Sequence, residues 1–305
     1  MSITALEATV GNLKLENPTV LASGVQGPSL LRTLEALRLG AGAAVTKSVG
    51  PRRREGYADP VTATTDSGLV NAVGLPNPGA EAFARELASV KARSPPLIVS
   101  VFGASGGEFG GVVSALDGNN FLAYELNLSC PHVEGVGTEV GHDPELVADV
   151  VKLVKRRTSK NVFVKLSPNT EKLLEVARAA VDAGADGLTA TNTVRAMTID
   201  IESERPGLSN VFGGLSGGAI RPIALRCVYE LHRSLDVPIM GCGGVSTWEH
   251  AVQFILAGAS AVQIGTATLQ RYDIFNEVNL GITSYMERKG VSGLDELVGR
   301  AHERS

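Results

Sequence analysis

A thiol stands in the run Asn127-Leu-Ser-Cys-Pro-His132, just past a short apolar stretch and flanked by Asn127 and Ser129. Cys130 in that place has three readings. It is a buried structural thiol, the usual fate of a lone cysteine. It is a metal ligand, which the lack of His or Cys at ligand spacing disfavours. Or it is a proton acceptor, because a thiol titrates nearer neutrality than a serine hydroxyl. Lys47 and Lys165 sit in comparable places, at the ends of apolar stretches. An ammonium there is costly unless it is paired or used. Ser48, Ser100, Asn127, Asn192 and Thr193 follow the same pattern, so donors and acceptors collect where buried segments end. Glycines gather in Gly213–Gly218, in Gly241-Cys-Gly-Gly244 and at Gly265-Thr266. Glycine lets backbone N–H groups come close to a phosphate. The first of these runs is not a P-loop, since no Gly-Lys-Ser/Thr follows it.

The elements that must position these groups are short apolar runs of strand length. They are Thr19–Ala22, Ala43–Thr46, Leu97–Val101, Ala123–Asn127, Val162–Leu166, Gly187–Ala190, Pro238–Gly241 and Ala261–Ile264. Most are continuously apolar rather than alternating, as strands covered on both faces are. Helical patterns intervene at Pro144–Arg157, Glu171–Ala183, Pro222–Ser234 and Thr247–Ala257, and Asp143-Pro144-Glu145 supplies a cap, a first-turn proline and an acid. Three segments, Leu39-Gly-Ala-Gly-Ala43, Ala183-Gly-Ala-Asp-Gly187 and Ala257-Gly-Ala-Ser-Ala261, repeat one tight helix-to-strand turn. Eight strand–helix units without a linker predict an α/β fold, a single (β/α)₈ TIM barrel over residues 1–305. An open doubly wound sheet would carry a Gly-rich fingerprint after its first strand, and Ala22-Ser-Gly-Val-Gln26 is not one. Insertions are expected after strands two, four and six on the catalytic face. The first, 47–96, includes a segment, Thr62–Val70, with strand character of its own. Polar groups converging from nearly all eight strand ends are what a barrel active site requires, and the glycines after strands seven and eight match the common barrel phosphate site.

Bulk properties exclude several classes. The chain has 305 residues, 44% hydrophobic, with a net charge of −4. No basic excess offers a nucleic-acid footprint. No apolar run reaches the roughly 20 residues that span a bilayer, and the start lacks a signal-peptide layout. Three dispersed cysteines fit a reducing cytoplasm, and no metal site is indicated. The Arg52-Arg53-Arg54 cluster reads as a solvated loop.

Taken together and in order, these stretches resemble the class 1 dihydroorotate dehydrogenases, from about Leu13 to Tyr285. The matching runs are Asn17-Pro-Thr-Val-Leu-Ala-Ser-Gly24, Thr46-Lys-Ser48, Asn71-Ala-Val-Gly-Leu-Pro-Asn-Pro-Gly79, Asn127-Leu-Ser-Cys-Pro131, Val164-Lys-Leu-Ser-Pro168, Asn192-Thr193, Gly213-Gly-Leu-Ser-Gly217 and Gly241–Gly244. The resemblance implies an FMN site contacted by Ser23, Lys47, Ser48, Ser100, Asn127, Lys165 and Thr191. Gly217, Gly243, Gly244, Gly265 and Thr266 would complete it, the last four around the phosphate. Dihydroorotate would be held by Lys47, Asn71, Ala72, Val73, Gly74, Leu75, Asn127, Asn192 and Thr193. Cys130 matches the family's base: it would take the C5 proton of (S)-dihydroorotate while FMN N5 takes the C6 hydride, giving orotate for pyrimidine (UMP) synthesis. The Gly-rich loop Pro131–Asp143 would close over the substrate. His132 stands where the family often has Asn, and Ser100 where many relatives carry Asn.

Within class 1, the runs Val133–Pro144 and Leu69–Leu75 look more like the NAD-linked branch (class 1B). That branch implies a partner subunit with FAD and a 2Fe-2S cluster, since three cysteines cannot supply four cluster ligands. A homodimer is expected from the family. The alternatives are a fumarate-linked class 1A enzyme, another FMN barrel such as a dihydropyrimidine dehydrogenase or a dihydrouridine reductase, and a barrel that binds a phosphate ligand without turnover.

Overall fold

The computed structural model describes residues 6–90, 95–128 and 140–302. A hairpin of β1 (Ala8–Val10) and β2 (Leu13–Leu15) precedes β3 (Thr19–Leu21). The chain continues through α1 (Leu30–Arg38), β4 (Ala43–Val45), β5 (Thr62–Thr65), β6 (Gly68–Asn71), α2 (Ala80–Ala88), β7 (Leu97–Val101), α3 (Gly106–Leu116) and β8 (Ala123–Asn127). Next come α4 (Pro144–Lys155), β9 (Asn161–Leu166), α5 (Leu173–Asp182), β10 (Gly187–Ala190), β11 (Val194–Ala196), β12 (Ile199–Asp200), β13 (Arg205–Pro206) and β14 (Gly213–Ser216). The last units are α6 (Arg221–Ser234), β15 (Ile239–Cys242), α7 (Trp248–Leu256), β16 (Ala261–Ile264) and α8 (Ile274–Lys289).

Eight strands close into a parallel barrel in the order β3-β4-β7-β8-β9-β10-β15-β16. Each expected barrel strand forms, with no end displaced by more than one residue. The expected helix N-cap at Asp143 also forms, its carboxylate accepting from the N–H of Glu145 and Leu146. The three repeated turns use their glycines as anticipated: Gly40, Gly184 and Gly258 have φ of 99°, 101° and 116°, which disfavour any side chain.

Both faces of the barrel wall are covered. Tyr124 and Leu126 of β8 pack outward under the helices, while Glu125 and Asn127 alternate with them and point the other way. The hairpin β1–β2 was not anticipated. Its turn at Gly11 lies against the Asp186 carbonyl and Pro238, which precede β10 and β15, so it covers the floor of the barrel.

The two long insertions meet over the opposite end. Strands β5 and β6, which follow β4, pair with β14 and β11, which follow β10, in one antiparallel sheet ordered β11-β14-β6-β5. The strand character expected in Thr62–Val70 is thus real, and its partners come from a segment about 145 residues further along. The pairing of Leu69 with Ser216 and of Val70 with Leu215 fixes how the two insertions overlap. Glycine is needed at the crossing, because a Cβ on Gly68 would collide with the Ser216 carbonyl.

Candidate active site

At the C-terminal ends of the barrel strands, beneath this sheet, lies a cavity of about 310 Å³. Lys47 and Ser48 reach it from the end of β4, Asn127 from β8, Lys165 from β9, Thr191 to Thr193 from β10, Cys242 to Gly244 from β15, and Gly265 and Thr266 from β16. Ser23 enters after β3, and Asn71, Val73 and Leu75 come down from the insertion after β4. Residues far apart in sequence share this space because every parallel strand of a barrel ends on the same face.

The polar side chains form a continuous hydrogen-bonded wall. Ser23 Oγ donates to the Thr46 carbonyl at 2.8 Å, Ser48 and Ser100 hydroxyls lie 2.8 Å apart, and Asn127 Nδ2 donates to Ser48 Oγ at 3.1 Å. Asn192 Nδ2 donates to Asn127 Oδ1 at 3.2 Å, and Asn192 Oδ1 accepts from the Thr193 N–H at 2.8 Å. Thr266 Oγ1 donates to Ser216 Oγ at 2.8 Å, joining barrel to covering sheet. Such bonds fix the orientation of amides that could otherwise turn.

Beneath Asn127 the barrel holds a buried network. Lys165 Nζ is 3.0 Å from Gln263 Oε1 and 3.4 Å from Glu125 Oε1. Glu125 Oε2 accepts from Gln263 Nε2 at 2.6 Å and Thr189 Oγ1 at 3.0 Å. Burial pulls the Lys165 ammonium down, but the neighbouring Cys242 and Glu125 outweigh it and hold the group above the ordinary lysine range. Burial pushes the Cys242 thiol up.

Lys47 is the contrasting case. Burial holds it below its ordinary value, and among the described residues no acid pairs with it. Its stem lies against Gly24, where φ is 87° and a side chain would crowd the ammonium. A half-buried cation with no counter-charge among the described residues is poised for an anionic ligand.

Most of the residues singled out in the sequence are brought together here, but three are not in the wall of the cavity. Ser100 is fully buried behind Ser48 and orients it from the back. Ala72 and Gly74 alternate away from it, while Asn71, Val73 and Leu75 line it. Leu75 has φ of 56°, unusual for a branched side chain, which indicates that the neighbourhood enforces its position. Cys130, His132 and most of the loop Pro131–Asp143 lie outside the described residues. Sequence reasoning overlooked Glu125 and Gln263, although a carboxylate inside an apolar strand was the available signal. It also overlooked Thr62, Leu69 and Ser216, which line the cavity from the covering sheet. A larger, open groove of about 1090 Å³ between α1 and α2 contains none of the strand-end lysines or amides.

The cavity fits a flavin phosphate and ring on three observations. Thr191 Oγ1 is buried with no hydrogen-bond partner among the described residues, an atom available to a ligand. No hydrogen bond among the described residues takes up the N–H groups of Gly243, Gly244, Gly265 or Thr266. Gly243 and Gly244 have φ of 139° and 75°, and a Cβ on either would strike Ala224 or the Arg221 stem at the start of α6, so only glycine brings this turn so close to that helix. Lys165 adds a positive charge below. Among the described residues no group of acids, histidines and cysteines could hold a metal ion.

A closed parallel barrel with lysines, paired asparagines and open glycine N–H groups at its strand ends defines a barrel protein with a polar ligand site at the C-terminal face of its strands. Residues 5–286 match the model of the dihydroorotate dehydrogenase family, and the chain belongs to that family, one of flavin-dependent oxidoreductases. A protein of Pyrococcus abyssi, named dihydroorotate dehydrogenase B (NAD(+)), catalytic subunit, is 50% identical over 299 residues, covering 97% of this chain and 99% of the relative. Relatives with the same name occur in Thermococcus kodakarensis, 45% identical over 99% of this chain and 100% of its own, and in Methanosarcina acetivorans, 47% identical over 95% and 94%. The likeness to the NAD-linked catalytic subunit read from the sequence is borne out.

Proposed function

We propose that the chain oxidises (S)-dihydroorotate to orotate with a bound FMN, as a single domain spanning 1–305. The observation that carries this reading is that Lys47, with no acid paired to it among the described residues, lines the same cavity as the hydrogen-bonded Asn127–Asn192 pair. A carboxylate would neutralise Lys47, and amides that donate and accept suit a ring of alternating N–H and C=O groups. Asn71, Val73, Leu75 and Thr193 would enclose the ring. Cys130, next but two after Asn127, would accept the C5 proton. FMN, when bound, supplies the acceptor for the C6 hydride. Its phosphate would rest on Gly243, Gly244, Gly265 and Thr266, and its ring on Ser23, Lys47, Ser48, Asn127, Lys165, Thr191 and Gly217, with Ser100 supporting Ser48 from behind. Ala72 and Gly74 would act through the shape of their loop.

The names of the relatives, a catalytic subunit and NAD(+), support a partner subunit and NAD⁺ as the final acceptor; in this reading the partner would hold the FAD and 2Fe-2S cluster that carry the electrons. Exposed apolar side chains concentrated at Met197, Ile199, Ile201, Val211 and Phe212 support a homodimer face. The reading extends to a cytoplasmic protein in pyrimidine synthesis; no helix among the described residues is long and apolar enough to cross a membrane.

The test is spectroscopic. The purified protein should carry an oxidised flavin spectrum that bleaches when dihydroorotate is added without oxygen. A flavin that stays oxidised would sink the proposal.

A further inference from the structure

The Glu125 carboxylate is completely buried inside the barrel, a place where an acid is costly, and the reaction as proposed does not use it. Its two oxygens are fully engaged. One faces Lys165 Nζ, and the other accepts from Gln263 and Thr189. Gln263 is held by both partners, donating to Glu125 and accepting from Lys165, so it bridges the pair. Register explains the assembly. Thr189 sits beside Lys165 on neighbouring strands, and Lys165 beside Asn127, two residues from Glu125 and on its face of β8.

We propose that Glu125 is a positioning residue for the reaction: with Gln263 and Thr189 it fixes the Lys165 ammonium, in its charged form, at the floor of the cofactor site. The proposal rests on the reading that this cavity holds a flavin. Among the described residues, the titratable groups facing Lys165 are Glu125 on β8 and Cys242 on β15, while β10 and β16 present neutral Thr189 and Gln263. Lys47 is the other cation lining the cavity. Glu125, 3.4 Å from Lys165 Nζ, is the carboxylate that offsets the burial of the ammonium. A lysine fixed in this way offers the same positive charge to the cofactor at every working pH.

The experiment is the midpoint potential of the bound flavin, measured spectroelectrochemically from about pH 6 to 10, a range that brackets a buried lysine released from its partner. The flavin-loaded wild type should show no break attributable to lysine. Glu125→Gln should have a higher potential at the acid end, where Lys165 has lost its counter-charge. Its potential should then fall more steeply through a window in which reduction takes up one extra proton. Glu125→Asp, which keeps the charge, should restore the unbroken profile, and Gln263→Leu should leave the slope unbroken. A Glu125→Gln profile parallel to wild type overturns the inference while leaving the flavin site intact. Failure of the wild type to take up flavin overturns the site reading and this inference together. If Glu125→Gln does not fold, the double variant Glu125→Gln/Lys165→Met should recover folded protein, because no unpaired charge remains; a double variant as unfolded as the single overturns the inference.

Discussion

At the scale of single residues, the two lysines do different work because their surroundings differ. Lys165 has a buried acid beside it; Lys47 has none among the described residues. Lys47 is charged only below its pKa, and burial sets that below the ordinary 10.5. Orotate affinity should therefore decline as pH rises toward that lowered value, earlier than for a surface lysine. Titration of the flavin spectrum with orotate across pH measures this, and an affinity flat to pH of about 10 would refute the pairing. Lys47→Met should weaken orotate binding by at least about tenfold, the scale of one lost charge-assisted contact. Cys130→Ala should retain its flavin yet slow anaerobic reduction by about 10²-fold or more, as loss of a positioned base does. Stopped-flow reduction at the wild-type rate would remove Cys130 from that role. Cys227 contrasts with it: on the buried face of α6 and pushed up to about 11 by burial, it is an inert core thiol.

At the scale of elements, the repeated αβ turns give a clean stability test. Gly184 has φ of 101° with only the Lys155 stem near the position of an added Cβ, at 3.8 Å. Gly184→Ala should then cost about 1–2 kcal/mol, the strain of a side chain at positive φ. Gly258→Ala should cost more, because its Cβ would also strike the His232 ring. Urea unfolding midpoints should rank wild type above Gly184→Ala, and that above Gly258→Ala. The covering sheet makes a different demand. It is held by main-chain pairing between β6 and β14 and by Ser216 Oγ donating to the Leu69 carbonyl at 3.2 Å, so the two insertions order each other over the cavity.

At the scale of the whole molecule, the electron acceptor is the decisive question. Among the described residues only Cys227 and Cys242 are cysteines, and both are free thiols, so no cluster is built from them. The reduced chain alone should be reoxidised slowly by fumarate, and turnover with NAD⁺ should appear only when a flavin and iron–sulfur partner is added. Rapid fumarate-driven turnover by the isolated chain would overturn the NAD-linked reading.

Periodicity and turn chemistry by themselves determined the barrel. The eight apolar runs, Asp143 as a cap and glycines at 40, 184 and 258 are local signals, and strand burial on both faces leaves an unmistakable continuous apolar pattern. The lysines, asparagines and glycines at the strand ends were legible for the same reason, each being out of character with its apolar neighbours. Tertiary structure alone decided three things. It paired β6 with β14, which no local pattern encodes because the partners are so distant along the chain. It set Ser100 behind Ser48 and turned Ala72 and Gly74 away, since a half-turn of backbone decides which side a residue faces. And it gave Lys165 a buried acid while leaving Lys47 without one among the described residues, a difference that depends on which strands lie side by side inside the barrel.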